Sequence, residues 1–273
     1  MRRRRIWLWL LCWTWLASPK ACPEPVVDVE TAYPVPPYTE VATQVTRYLE
    51  TRDVPVARSP CPRFYLALGT KAVTTIRGRD KNTPIVAALV LERDTILEAA
   101  PATGVWLRHP LETQWHHLRR MVPMLRHLTV LYDPAFAADL HHMERLARRD
   151  GIALTALAVH APSELKNIPA RIPMNTDAVF PLGDSRIFPL TSIQPLVLAT
   201  YSRRIVLVGM SAQWVAAGAT YALDWNWPQL ARQTGELAAA LWRGTPVADL
   251  PPQPPAAVKI IINTTLWPGL AKR

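Results

Sequence analysis

Cysteine is scarce in this chain: there are three in 273 residues, and no two of them form a CxxC pair. That absence leaves no zinc or thioredoxin-type signature, since those chemistries use closely spaced thiols. Histidine is missing after His160. The passage GMSAQ (Gly209 to Gln213) partly imitates the nucleophile elbow of α/β-hydrolases, but that fold places its histidine after the serine, and the fifth position here is Gln213 rather than glycine. The order therefore argues against such an enzyme, and no pair of carboxylates stands out for acid–base work. The apolar run Ile6 to Ala17 is also short. Its twelve residues fall below the roughly 20 that a bilayer-spanning helix takes.

What the N-terminus does contain is an export signal. Arg2 to Arg5 form a basic n-region, Ile6 to Ala17 an apolar core, and the small residue Ala21 precedes Cys22. Trp7, Trp9, Trp13 and Trp15 in that core leave slow cleavage or a retained anchor open. Cleavage before Cys22 suits either an ordinary signal peptidase or a lipoprotein pathway. Against the second, Pro19 stands where a lipobox has leucine and Lys20 where it has a small residue. Once the signal leaves with Cys12, Cys22 and Cys61 remain. In an oxidising compartment they can close one disulfide pinning the N-terminal arm; if Cys22 is lipidated, Cys61 is a lone thiol. The formal charge of +10 overstates the exported protein. Residues 1 to 21 hold five basic residues and no acid, so 26 basic residues then face 21 acidic ones, a balance of +5. That mild excess suits a soluble, extracytoplasmic protein and gives no case for a nucleic-acid partner.

About 250 residues remain after the signal, enough for one large α/β domain or two lobes. Apolar, β-branched runs read as strands at 63–68, 84–91, 128–132, 154–159, 177–182, 205–209 and 258–263. Helical stretches separate them at 38–52, 112–125, 135–149 and 228–243. Such alternation implies parallel sheets with right-handed crossovers.

The segment Arg204 to Asn263 is the most specific. It reads RIVLVG, then GATYALDWNWPQLARQTGELAAALWRG, then TPVADLPP, then VKIIIN. Asn226 predicts a helix cap with Pro228 in the first turn. Leu230, Thr234, Leu237, Ala238 and Leu241 fall on one face, with Gln229, Arg232, Gln233, Glu236 and Arg243 on the other. Gly244 and Pro246 end the helix. This order resembles the C-terminal signature of the type I periplasmic binding proteins, in the ABC-transporter substrate-binding group that includes tryptophan and tyrosine binders. The resemblance continues in HPLETQWHHLRRMVPMLRHLTVLYDP (His109 to Pro134) and NTDAVFPLGDS (Asn175 to Ser185), and covers most of 62–273. It implies two Rossmann-like lobes with parallel sheets joined by crossover strands: residues 22–108 plus 224–255 as the N-terminal lobe, 109–223 as the C-terminal lobe, and 256–273 as the final crossover strand and tail. The stretch Val26 to Pro62 holds one strand and one helix where the family usually has a further strand and helix, so a trimmed N-terminal lobe is expected.

In open α/β sheets, ligands bind at the carboxyl ends of strands. Three strands here end in glycine followed by a hydroxyl residue: Gly69-Thr70, Gly183-Asp184-Ser185 and Gly209-Met210-Ser211. The bland alternative for each is an ordinary strand-to-helix turn. Thr70 and its following amides suit a carboxylate at a helix N-terminus; Asp184 suits an ammonium, with Ser185 beside it. Trp106 and Tyr221, near the crossovers, can wall a cleft or simply pack a hinge. Family members often carry Asp-Pro where this chain has Glu92-Arg93, and a small residue where it has Lys71, so the cleft departs from the usual site at both places. The resemblance implies an amino-acid-like or other small organic ligand, captured by a monomer for an ABC importer without a cofactor. The alternative is a sensory protein on the same scaffold that signals to a membrane receptor or kinase. Adjacent histidines at 116–117 and 141–142 point about 100° apart on a helix, so solvated faces are expected there rather than a metal.

Overall fold

A computed structural model describes residues 24–267. The stretch expected to be an export signal, Cys22 and residues 268–273 lie outside the described residues. The first lobe is a parallel sheet of β1 (Val27–Thr31), β2 (Phe64–Leu68), β3 (Ile85–Val90) and β4 (Ala102–Trp106), in that spatial order. Between them run α1 (Tyr38–Glu50), α2 (Thr70–Arg79) and the short α3 (Arg93–Leu97). Residue alternation along β2 sends Phe64, Leu66 and Leu68 to a core shared with Val41, Val45 and Leu49 of α1. It sends Tyr65 and Ala67 to the opposite core, with Ala72, Val73 and Ile76 of α2.

Two helices on opposite faces of strands placed in simple succession would conflict with right-handed crossover. A single bridge resolves the conflict. Val56 makes an isolated parallel bridge to Val27. The Val27 amide donates to Pro55 O (2.9 Å) and the Ala57 amide to Val27 O (3.0 Å), on the edge of β1 away from β2. The chain thus winds outward through α1 to Val56 and returns through loop 57–63 to β2. The outer edge of β1 carries this one bridge, and no helix follows Val56 before β2.

The second lobe contains α4 (Leu111–Met121), β5 (His127–Tyr132), α5 (Ala137–Arg149), β6 (Ala153–Ala158), α6 (Ile168–Arg171), β7 (Ala178–Leu182), α7 (Gln194–Ser202), β8 (Val206–Gly209), α8 (Ala212–Ala216) and β9 (Tyr221–Trp225). Then α9 (Trp227–Trp242) returns to the first lobe, and β10 (Val258–Ile262) closes the second. The six-stranded sheet has the order β10-β9-β8-β7-β5-β6. All its pairs are parallel except the last, where β10 runs antiparallel to β9.

Helix α9 belongs to the first core: Leu230, Leu237, Ala238 and Leu241 lie with α1 and β2. Gly235 permits that approach, because a Cβ there would stand 2.5 Å from the Tyr48 ring. Asn226 caps the helix by accepting from the Gln229 amide (3.1 Å). Gln233 differs from the sequence expectation. It is buried, and its side-chain amide binds Gln253 Oε1 (3.0 Å), Pro254 O (2.9 Å) and the Ala256 amide (3.0 Å). It faces the returning Pro-rich segment, which periodicity alone does not reveal.

Candidate functional site

A cavity of 340 Å³ lies where the lobes meet, within the range of about 300–1,000 Å³ typical of small-molecule sites. The first lobe and its crossover contribute Leu91 and Leu107 to His109; the second contributes the segments after β7 and β8, with Tyr221, Leu223 and Trp225 of β9. The strand order of the second sheet reverses direction between β5 and β7. The loop after β7 therefore leaves the carboxyl edge at a topological switch point, where such folds hold ligands.

The crossover is held firmly. The amides of Leu107 and Arg108 donate to Val90 O (2.7 Å) and Leu91 O (3.1 Å), continuing the pairing of β4 with β3. Gln114 Nε2 donates to His109 O (2.7 Å), and Trp225 Nε1 to Leu107 O (2.7 Å). The His109 ring stacks on Trp225 with centroids 6.3 Å apart and planes at 21°. Trp225 in turn lies 5.3 Å from Trp227. His109 is only 7% exposed, and neither ring nitrogen has a bond of normal geometry, although the Asp224 main chain acts on the ring as a hydrogen-bonding group. Burial pushes the imidazole below its ordinary pKa and the nearby His117 adds to this, while the Asp224 main chain and carboxylate oppose it. The ring is therefore neutral at neutral pH, with one donor and one acceptor. Tyr221, 1% exposed, is pushed far above the usual phenol range by burial alone.

Formal charges on the cavity wall are already matched. Arg108 Nε lies 3.0 Å from both Glu92 carboxylate oxygens, its Nη2 contacts Glu92 Oε1, and its Nη1 is 3.4 Å from Asp139 Oδ2. Asp184 Oδ1 accepts from the Arg186 amide (2.8 Å), and Oδ2 from its guanidinium (2.8 Å). Burial works against the Asp184 charge, but the bonds from Arg186 outweigh it and hold the carboxyl below the usual range.

Of the residues expected from sequence, Asp184, Ser185, Ser211 and Tyr221 come together on this wall. Gly69, Thr70, Trp106 and Glu92 do not line it. Gly69 packs toward Ala32 and Tyr38, and Thr70 is exposed at the start of α2. Trp106 lies beside the Arg93 guanidinium (5.9 Å). Glu92 acts one step away, through Arg108. Cys61 is disulfide-bonded; Cys22, its expected partner, lies outside the described residues. Two histidines of the adjacent pairs meet carboxylates, His142 with Glu112 (2.8 Å) and His141 with Glu144 (3.2 Å). Sequence reasoning missed His109, Trp214, Phe188 and Trp225. Only the His109-Pro110 step ahead of a helix marked the first of these, and it carries no sign of burial.

Two α/β lobes joined by crossovers thus flank a mainly apolar cavity. The chain belongs to the family described as ABC transporter substrate binding protein, whose profile matches residues 60–270. Among solved structures it resembles the ligand-free, open form of CD0873, a substrate binding protein with adhesive properties from Clostridium difficile: 14% identity, 90% of this chain and 95% of that one, TM-score 0.77. It also resembles a conserved domain protein from Vibrio cholerae: 18% identity, 91% and 95% covered, TM-score 0.60. A third is the ABC domain in complex with L-Trp from Streptococcus pneumonia: 15% identity, 90% and 94% covered, TM-score 0.59. At these identities the likeness speaks for the fold. No curated protein matches significantly.

Proposed function

We propose that this protein is an extracytoplasmic solute receptor, exported by its N-terminal signal, that closes two lobes around a small organic ligand and delivers it as a monomer to an ABC permease. The observation that carries this reading is the interlobe cavity, built from the crossover on one side and the ends of β7, β8 and β9 on the other. Closing the lobes adds contacts to both walls at once, so a ligand stabilises the closed state by its higher affinity for it. The protein binds rather than transforms its ligand. In the amino-acid-like version of the reading, Asp184 receives the ammonium and Ser211 or Ser185 assists; that requires Arg186 to give up its hold on Asp184.

A thermal-shift screen of small organic solutes tests this role. Binding raises the melting temperature by mass action, by about 2.7 kcal/mol of stability at a hundredfold excess over Kd. A ligand whose shift disappears when Ser211 and Asp184 are each changed to alanine supports the site. A folded protein that binds nothing in a broad panel counts against a receptor role. Reconstitution with the permease separates transport from sensing: ligand uptake that depends on this protein supports delivery, and a loaded protein that drives no uptake counts against it.

A further inference from the structure

We infer that the cavity selects an uncharged, ring-bearing organic molecule with a hydrogen-bonding heteroatom held by His109, in preference to a zwitterionic amino acid. This rests on the solute-receptor reading and narrows its ligand class. Three independent observations converge on it.

The first concerns charge. A zwitterion carries two full charges out of water and needs a counter-charge for each. The two ionised groups on the wall, Arg108 and Asp184, are already engaged by Glu92, Asp139 and Arg186. A zwitterion entering the closed cavity would have to break one of these pairs. An uncharged ligand breaks none.

The second concerns the His109 imidazole. A buried polar side chain without a partner is costly, and each such group in a native protein calls for an explanation. Neither His109 nitrogen has a bond of normal geometry, on a residue 93% removed from solvent, since 7% of it is exposed; the Asp224 main chain acts as hydrogen-bonding partner to one side of the ring, which leaves the other nitrogen unmatched. Its position is not slack: main-chain pairing of its two predecessors, the Gln114 bond to its carbonyl and stacking on Trp225 all fix it. In a neutral ring whose N–H is turned to the Asp224 main chain, the other nitrogen is an acceptor, and a ligand N–H or O–H completes it.

The third concerns shape. Trp225 stands half-buried on the wall, backed by Phe180, Phe188, Trp214 and Tyr221, each 1–3% exposed. Aromatic side chains in offset or edge contact favour another flat ring over an aliphatic chain. The apolar body of the ligand meets these rings, and its heteroatom meets His109.

Matched pairs of probes test the class. Indole is compared with L-tryptophan, and p-cresol with L-tyrosine, by calorimetry on the full chain at neutral pH; each pair shares its ring and differs in the charged head. The neutral member of at least one pair is expected to bind about tenfold or more tighter than its amino acid. An amino acid that binds tighter than its neutral partner overturns the inference and leaves a receptor role standing. The same holds if neither pair binds while a charged solute does. Silence from both pairs and from a broad solute panel overturns both readings. The role of His109 is tested from the ligand side, which leaves the fold untouched: 1-methylindole, lacking the N–H, should bind about tenfold weaker than indole. In His109→Phe, which keeps the stacking, that discrimination should vanish, and His109→Gln should restore part of it. Equal binding of the two indoles to the unmodified chain, or discrimination that persists in His109→Phe, overturns the assignment to His109.

Discussion

The two lobes place the same sequence device in opposite settings. Each carries strands that end in glycine and a nearby hydroxyl residue. In the second lobe, the ends of β7 and β8 bring Gly183 to Ser185 and Gly209 to Ser211 onto the cavity wall. In the first, at the end of β2, Gly69 lies away from it, toward Ala32 and Tyr38, and Thr70 is exposed. The difference comes from strand position. In the first lobe β3 and β4 stand next to the hinge, so the residues that reach the cavity are Leu91 and the crossover Leu107–His109. A local motif thus marks the edge on which ligands bind; which stretch of that edge meets the other lobe is a property of topology.

The largest effect should come from breaking the smaller lobe at its hinge strand. Gly104 has φ +153°, and a Cβ there would stand 2.0 Å from the Ala87 carbonyl oxygen. Gly104→Ala should cost about 4 kcal/mol or more, read as loss of the folded baseline in thermal denaturation; a variant melting within a few degrees of the parent would refute this. Next, Leu237→Ala in α9 and Leu128→Ala in β5 remove buried side chains from the cores of the first and second lobes. Each should cost about 2–5 kcal/mol. If the lobes unfold as one unit, both variants lower a single transition; two separated transitions would show the lobes to be independent.

A smaller effect should follow from pH. His109 and His117 are both held below the ordinary histidine value of 6.5, mainly by burial. Above 6.5 they are neutral folded and unfolded. As pH falls through 6.5 toward the folded values, the unfolded chain takes up protons that the folded one resists, so stability is lost in that window. The charged groups acting on His109 are Asp224, which opposes the shift, and His117, which adds to it. His109→Phe should therefore lose less melting temperature than the parent between neutral and mildly acidic pH; equal losses would refute the assignment. The smallest effect is expected at Arg232→Ala, which removes an exposed ion pair with Glu236 one helical turn away. At most about 0.5 kcal/mol should be lost, and a drop comparable to Leu237→Ala would mean that α9 is anchored otherwise than through its apolar face.

Much of the scaffold was legible in sequence because strands buried on both faces read as unbroken apolar runs. β2, β3, β5, β7 and β8 fall within a residue or two of expectation. β4 (ATGVW) and β9 (YALDW) were not read as strands. Each is short, mixes small or polar residues with an aromatic end, and leads into a crossover, so no period-2 pattern develops. The short helices α3, α6 and α8 also went unread, since four or five residues hold too little periodicity. On the cavity wall, Asp184, Ser185 and Ser211 were reached through strand-end punctuation and Tyr221 through its place near a crossover. His109 was not, because what distinguishes it is burial of an imidazole left with an unmatched nitrogen, and that arises from elements meeting in space.

The return of α9 to the first lobe and of β10 to the second bears on the order of assembly. Neither lobe is a continuous stretch of chain. The first core waits for Leu230 to Leu241, and the second sheet waits for Val258–Ile262. A chain emerging from its N-terminus can complete neither lobe until almost its whole length is available. Its long-range pairings come last, when loop closure is most demanding. Loss of even the final strand would leave Tyr221–Trp225 as a bare sheet edge, beside the residues that wall the cavity.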